Sequence, residues 1–150
     1  MITNILVPTD GSDTARKAAR YACELAGLCH ARVTLLSVVD RSAFVGSPSV
    51  PGSETPAHIV EPLEDYLRES AEADMGELEK LCGHNMISAN KVIRFGHPVE
   101  EIIKEAKRSK VDLIVMGSHG KSALKAALLG SVTFGVVHND TKIPVLIVRK

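Results

Sequence analysis

Tryptophan is absent and aromatic residues make up 3% of the 150 positions, which removes the stacking platforms that single-stranded nucleic-acid binding depends on. An excess of either charge is missing too, since 18 basic and 18 acidic residues cancel. A nucleic-acid or membrane-surface partner normally shows as a basic excess or patch, so neither is expected. No run comes near the roughly 18 apolar residues of a membrane span. The opening MITNILVP has no basic stretch leading into an apolar core, as a secretory signal would. Cysteine is scarce as well. Cys23, Cys29 and Cys82 are odd in number and show no CxxC spacing. They read as small buried apolar side chains in a reducing compartment, and the expectation is a cytoplasmic protein.

What remains is an ordinary globular composition, 45% hydrophobic and 24% charged. A chain of this length fits one domain that buries roughly two thirds of its unfolded surface. Apolar runs at residues 5–7, 32–39, 88–94, 112–116 and 144–148 read as strands, the first ended by Pro8. Between them lie helical patterns. Asp10-Gly11-Ser12-Asp13 opens the first, which carries Ala15, Ala18, Ala19, Ala22 and Leu25 on one face and meets a stop at Gly27. Val60, Leu63, Leu67, Ala71, Leu78 and Cys82 trace a long amphipathic helix, preceded by a Ser/Gly/Pro-rich loop over 40–58. Pro98 opens a third helix with Val99, Ile102, Ile103 and Ala106 on one face. A weaker helical segment covers 131–138, where Gly135 and its β-branched neighbours lower the propensity. Strands that alternate with helices and are apolar throughout indicate a doubly wound α/β fold, a parallel sheet covered by helices on both faces.

In such a sheet ligands bind outside the carboxyl ends of the strands, where strand order reverses. The least ordinary sequence sits there. Pro8-Thr9-Asp10-Gly11 follows the first strand, Val39 ends the second, and Met116-Gly117 ends the fourth. Two familiar phosphate loops are excluded. Gly120-Lys121-Ser122 has the tail of a P-loop, but the glycine required five residues earlier is Val115. A dinucleotide fingerprint would need glycines where Thr9-Asp10-Gly11-Ser12-Asp13 stands. What is present is Gly117-x-x-Gly120, nine residues, then Gly130-Ser131. Glycines let backbone N–H groups approach an anion. Ser131 is placed to cap the last helix and to donate to a phosphate. His119, Lys121 and Lys125 add charge or hydrogen bonds at the rim. The same glycines would equally serve a plain strand-to-helix connection, and spacing alone leaves both readings open.

The pattern G-x2-G-x9-G-S after the fourth strand resembles the nucleotide-binding motif of the universal stress protein family. ILVPTDGSDTARKAARYACELA resembles that family's first strand and helix, and VDLIVMGSHGKSALKAALLGSVT with IPVLIVRK resembles its closing half. The resemblance covers essentially the whole chain. It implies a five-stranded parallel sheet of order 3-2-1-4-5 and ATP as ligand; bound ATP would in turn bring Mg²⁺ or Mn²⁺, held mainly by the phosphates. By the same resemblance Asp10 and the backbone around Val39 hold the adenosine end, while Gly117, Gly120, Gly130 and Ser131 hold ribose and phosphates. Pro8, Thr9, Met116, His119, Lys121, Val132 and Thr133 complete the expected binding set. An acid at position 10 also argues against a PP-loop pyrophosphatase, which needs glycine beside the pyrophosphate.

Asp10, His119, Lys121 and Ser122 form no recognisable nucleophile–base constellation, so no catalytic residue is assigned. The expected role is a nucleotide-dependent stress-response switch with at most slow hydrolysis. A genuine ATPase or adenylyl-transferring enzyme, and a scaffold that binds no nucleotide, stay open beside it. His30, His58, His84, His97 and His138 are scattered without metal-ligand spacing, so no metal site is assigned. His97 reads as a helix-entry residue, and the charges at 100–101 and 104–110 as a solvated helix face. PVLIVRK, as an apolar edge strand, invites pairing with a second copy, and a homodimer through the C-terminal strand is expected.

Overall fold

The computed structural model describes residues 1–40, 57–121, 128–139 and 141–150, with 57–62 described for their backbone. Its strands are β1 (Asn4–Pro8), β2 (Arg32–Val39), β3 (Ala89–Phe95), β4 (Leu113–Gly117) and β5 (Val145–Val148). The helices are α1 (Asp13–Cys29), α2 (Ala57–His84), α3 (Pro98–Arg108) and α4 (Ser131–His138). All strand pairs are parallel, and the sheet order is β3-β2-β1-β4-β5. The expected doubly wound sheet is therefore the observed one.

Continuous apolar strands make sense here because successive side chains enter different cores. Ile5 and Val7 pack with Ala18, Ala22, Met75 and Leu78 beneath α1 and α2. Leu6, between them, packs with Ile102, Ile103, Ala106 and Val136 beneath α3 and α4. The alanine stripe of α1 (Ala15, Ala18, Ala19, Ala22, Ala26) is buried and lets the helix lie close to the sheet.

Several local expectations shift. Pro8 is the last residue of β1, still paired opposite Leu36. Gly27 does not stop α1, which runs to Cys29. His30 ends it in the left-handed region at φ 56°, with its N–H on the Ala26 carbonyl. Nothing lies within 4 Å of where a Gly27 Cβ would stand, so Gly27 is a solvent-facing helix residue and not a terminator. β4 begins one residue late because Asp112 turns aside to accept hydrogen bonds from Thr3 N, Thr3 Oγ1 and Asn4 N at 2.7–2.9 Å. Gly135 is a packing glycine: a Cβ there would stand 2.7 Å from Val99 Cγ2, so its absence lets α4 approach α3.

The cysteine reading needs a larger correction. Cys23 and Cys82 are fully buried, as expected, but they are joined in a disulfide with Cα atoms 5.3 Å apart. α1 and α2 cover the same face of the sheet, and that tertiary neighbourhood leaves no trace in cysteine spacing. Cys29 is free and half-buried. The charged face of α3 is solvated only in part. Lys104 pairs with Glu101 at 2.8 Å as the spacing implies, whereas Glu105 is 5% exposed and receives Arg94 from β3 at 2.9 Å. Among the described residues no helix is long and apolar enough to cross a membrane.

Candidate functional site

The chain leaves β1 towards α1 on one side of the sheet, while the connection after β4 serves the other. Because β1 and β4 are neighbours, their carboxyl ends lie at the point where strand order reverses. A cleft of about 140 Å³ opens there, between the two strand ends, α3 and the start of α4.

The β1–α1 turn is shaped by its polar residues. Ser12 caps α1, its Oγ accepting from Ala15 N at 3.3 Å. Gly11 sits at φ +77°, a conformation that disfavours any side chain. This turn presents Asp10, whose Oδ1 accepts from Ser12 N at 3.0 Å and whose Oδ2 accepts from Lys121 N at 2.8 Å. The aspartate thus reaches across to the connection after β4.

That connection folds back on itself. Gly130 N donates to Ser118 O at 2.7 Å, which sets the two glycine arms side by side. A Cβ on Gly130 would stand 3.3 Å from His119 Cα and 3.5 Å from Gly120 N, so only glycine packs there without displacement. A Cβ on Gly120 would stand 2.4 Å from Asp10 Oδ2, and one on Gly117 would stand 2.9 Å from the Thr14 backbone. Each motif glycine is a close approach. Thr14 Oγ1 donates to the His119 carbonyl, and Thr133 Oγ1 donates to the Gly117 carbonyl at 2.8 Å. His119 Nδ1 lies 2.9 Å from Ser118 Oγ.

Ser131 was expected to cap α4. The cap is instead Gly130, which has no side chain to offer, and Ser131 is the first helical residue. The first turn of α4 therefore meets the cleft without a side-chain cap on its N–H groups, an arrangement suited to an anionic guest.

The structure gathers the whole expected set around this mouth. Pro8, Thr9, Asp10, Met116, Gly117, His119, Gly120, Gly130, Ser131, Val132 and Thr133 line the cleft. Val39 and Lys121 line its continuation towards α2. Lys125 lies outside the described residues, as do positions 41–56 of the long loop. His97 is the entry residue of α3, without a side-chain cap bond, and it faces the same continuation. Sequence reading missed Pro98 and Ile102 from α3 and Asp74 from α2. Pro98 could have been found as the helix-opening residue after the third strand. Asp74 could not, because nothing in a helical repeat marks which charged position faces a cleft.

The sequence model of the universal stress protein family matches residues 1–149. The chain belongs to the universal stress protein family. Universal stress protein MJ0531 of Methanocaldococcus jannaschii is 36% identical over 146 residues, covering 97% of this chain and 81% of that protein. The solved structure of protein MJ0577, whose 36%-identical sequence comes from the same organism, superimposes with a TM-score of 0.84. It shares 35% of residues and covers 100% of this chain and 97% of that one. A universal stress protein crystallised in complex with cAMP has a TM-score of 0.68 at 25% identity, covering 98% of this chain and 96% of that one. The same five-stranded α/β fold is found in these solved relatives.

Proposed function

We propose that this chain is an ATP-binding universal stress protein that works as a nucleotide-dependent regulatory switch with at most slow hydrolysis. The observation that carries it is the set of close approaches at the motif glycines, Gly120 to Asp10, Gly117 to Thr14 and Gly130 to His119, around one cleft. Asp10 is the acceptor for the adenosine end. The glycine arms and the uncapped first turn of α4 receive ribose and phosphates. The cAMP complex of a relative supports an adenine nucleotide as the ligand class.

Asp10, Asp40 and Asp74 border the cleft against Lys121, which favours a triphosphate that arrives with its charge partly neutralised. Mg²⁺ or Mn²⁺ would fill that role, held by the phosphates and water. We assign the protein to the cytoplasm as one domain over residues 1–150, paired into a homodimer through β5. The pairing is supported by the position of β5 at the edge of the sheet, with all four residues half-exposed.

Equilibrium dialysis against Mg-ATP should find one nucleotide per chain at micromolar ligand, with turnover far below 1 per second. Turnover at about 1 per second or faster would instead make the protein an enzyme proper. No retained nucleotide would overturn the proposal and leave a scaffold role.

A further inference from the structure

Lys121 is fastened at two points. Its backbone N–H donates to Asp10 Oδ2 at 2.8 Å, and its ammonium stands 3.8 Å from Asp74 Oδ2. The two acceptors come from different parts of the fold. Asp10 follows β1, whereas Asp74 lies within α2 at helical spacing from the buried Leu78 and Cys82. Through Lys121, α2 is therefore tied to the glycine connection of the cleft.

The two side chains are not equally free to move. Asp74 is 29% exposed and its carboxylate rests on the backbone of Gly11, where a Cβ would meet Oδ2 at 2.2 Å. Lys121 is 61% exposed on a flexible four-carbon stem. If the pair separates, the lysine leaves. It also adjoins Gly120 at the cleft wall, next to the surface assigned to phosphates. Of the described lining residues only Lys121 is a lysine or arginine, and here a carboxylate engages it.

We propose that Asp74 is a competing counter-charge for Lys121, and that a phosphate-bearing ligand takes the ammonium from it and so releases α2 from the glycine connection. The inference rests on the nucleotide reading above and adds what that reading lacks, a route from the ligand's phosphates to an element outside the motif. An exposed ion pair shifts an equilibrium by up to about fivefold, so a polyphosphate can outbid it while a nucleoside cannot. Phosphate content, rather than the adenosine, then determines whether α2 is held.

The test is calorimetric titration of the full chain with Mg-ATP and with adenosine, for wild type, Asp74→Asn, Lys121→Met and the double variant. Asp74→Asn should tighten Mg-ATP by about two- to fivefold and leave adenosine unchanged. In the Lys121→Met background the same substitution should gain nothing, because no ammonium is left to release. An equal gain in both backgrounds would overturn the proposal, since Asp74 would then be repelling phosphate directly. Intact ATP binding with no gain from Asp74→Asn would overturn it while sparing the nucleotide reading. A wild-type protein that binds neither ligand would remove both. If Asp74→Asn fails to melt cooperatively, Asp74→Ser carries the same test, its shorter side chain relieving the contact with Gly11.

Discussion

Thr133 Oγ1 donates to the carbonyl of Gly117 at 2.8 Å, a fully buried bond that ties the first turn of α4 to the end of β4. The two glycine arms are anchored to these same elements, so this hydroxyl acts with the Gly130 N–Ser118 O bond to hold the cleft floor. Thr133→Val keeps the shape and removes the donor. It should lower stability by about 1–2 kcal/mol, as a buried acceptor loses its partner. Chemical denaturation reads the loss, and a variant as stable as wild type would show that the bond contributes nothing.

Asp10 sits where the adenosine end is assigned and already accepts from Ser12 and Lys121. Asp10→Ala should weaken ATP and adenosine alike, by about tenfold, the equivalent of one hydrogen bond to a charged group. A loss for ATP alone would place Asp10 against phosphates instead. Competition binding with both ligands separates the outcomes.

Glu105 gives the protein an acid-sensitive clamp between β3 and α3. Burial by itself would push its carboxyl up. Ser109 Oγ at 2.8 Å and Arg94 Nε at 2.9 Å, with the charges of Arg94 and Arg108, outweigh burial and hold it below its ordinary value. Asp112 is lowered as well, by its bonds from the Thr3 side chain and from the backbone of Thr3 and Asn4. A lowered native value means that the folded state binds its proton less readily than the unfolded chain. The stabilisation is complete above the ordinary carboxylate range and is lost as pH falls through the lowered value. Glu105→Gln should cost about 2 kcal/mol at neutral pH. That cost should shrink in acid, where wild type loses the same clamp. A pH-independent difference would contradict the assignment.

The Cys23–Cys82 bond spans 59 positions, and closing a loop of that length corresponds to about 4 kcal/mol in the chain-entropy account. Under denaturing, non-reducing conditions a thiol reagent should label Cys29 alone, and reduction should expose all three cysteines. Labelling of three thiols before reduction would show that the pair is open.

The fold was legible because parallel strands buried on two faces must be apolar throughout, and Ile5-Leu6-Val7 serves two cores at once. The cleft was legible because its glycines stand close to neighbouring groups and their spacing can be read directly in the sequence. What stayed hidden depends on contacts between distant elements. Cys23 meets Cys82 only because α1 and α2 share a face of the sheet. Asp74 reaches Gly11 from the middle of an amphipathic helix. Gly135 looked like a helix weakener and proved to be the point where Val99 packs, whereas Gly27 looked like a stop and is merely exposed on α1. A glycine alone in a helical pattern carries no sign of which of these it is.

The central claim is that the converging glycines form a nucleotide cradle. It is tested most directly by calorimetric titration of nucleotide-stripped protein with Mg-ATP, beside Gly130→Val. A side chain at position 130 would press on His119 and Gly120 and fill the meeting point of the two arms. The account predicts micromolar binding by wild type and none by the variant, with both melting cooperatively. Equal binding by the two proteins, or no binding by wild type, would contradict it.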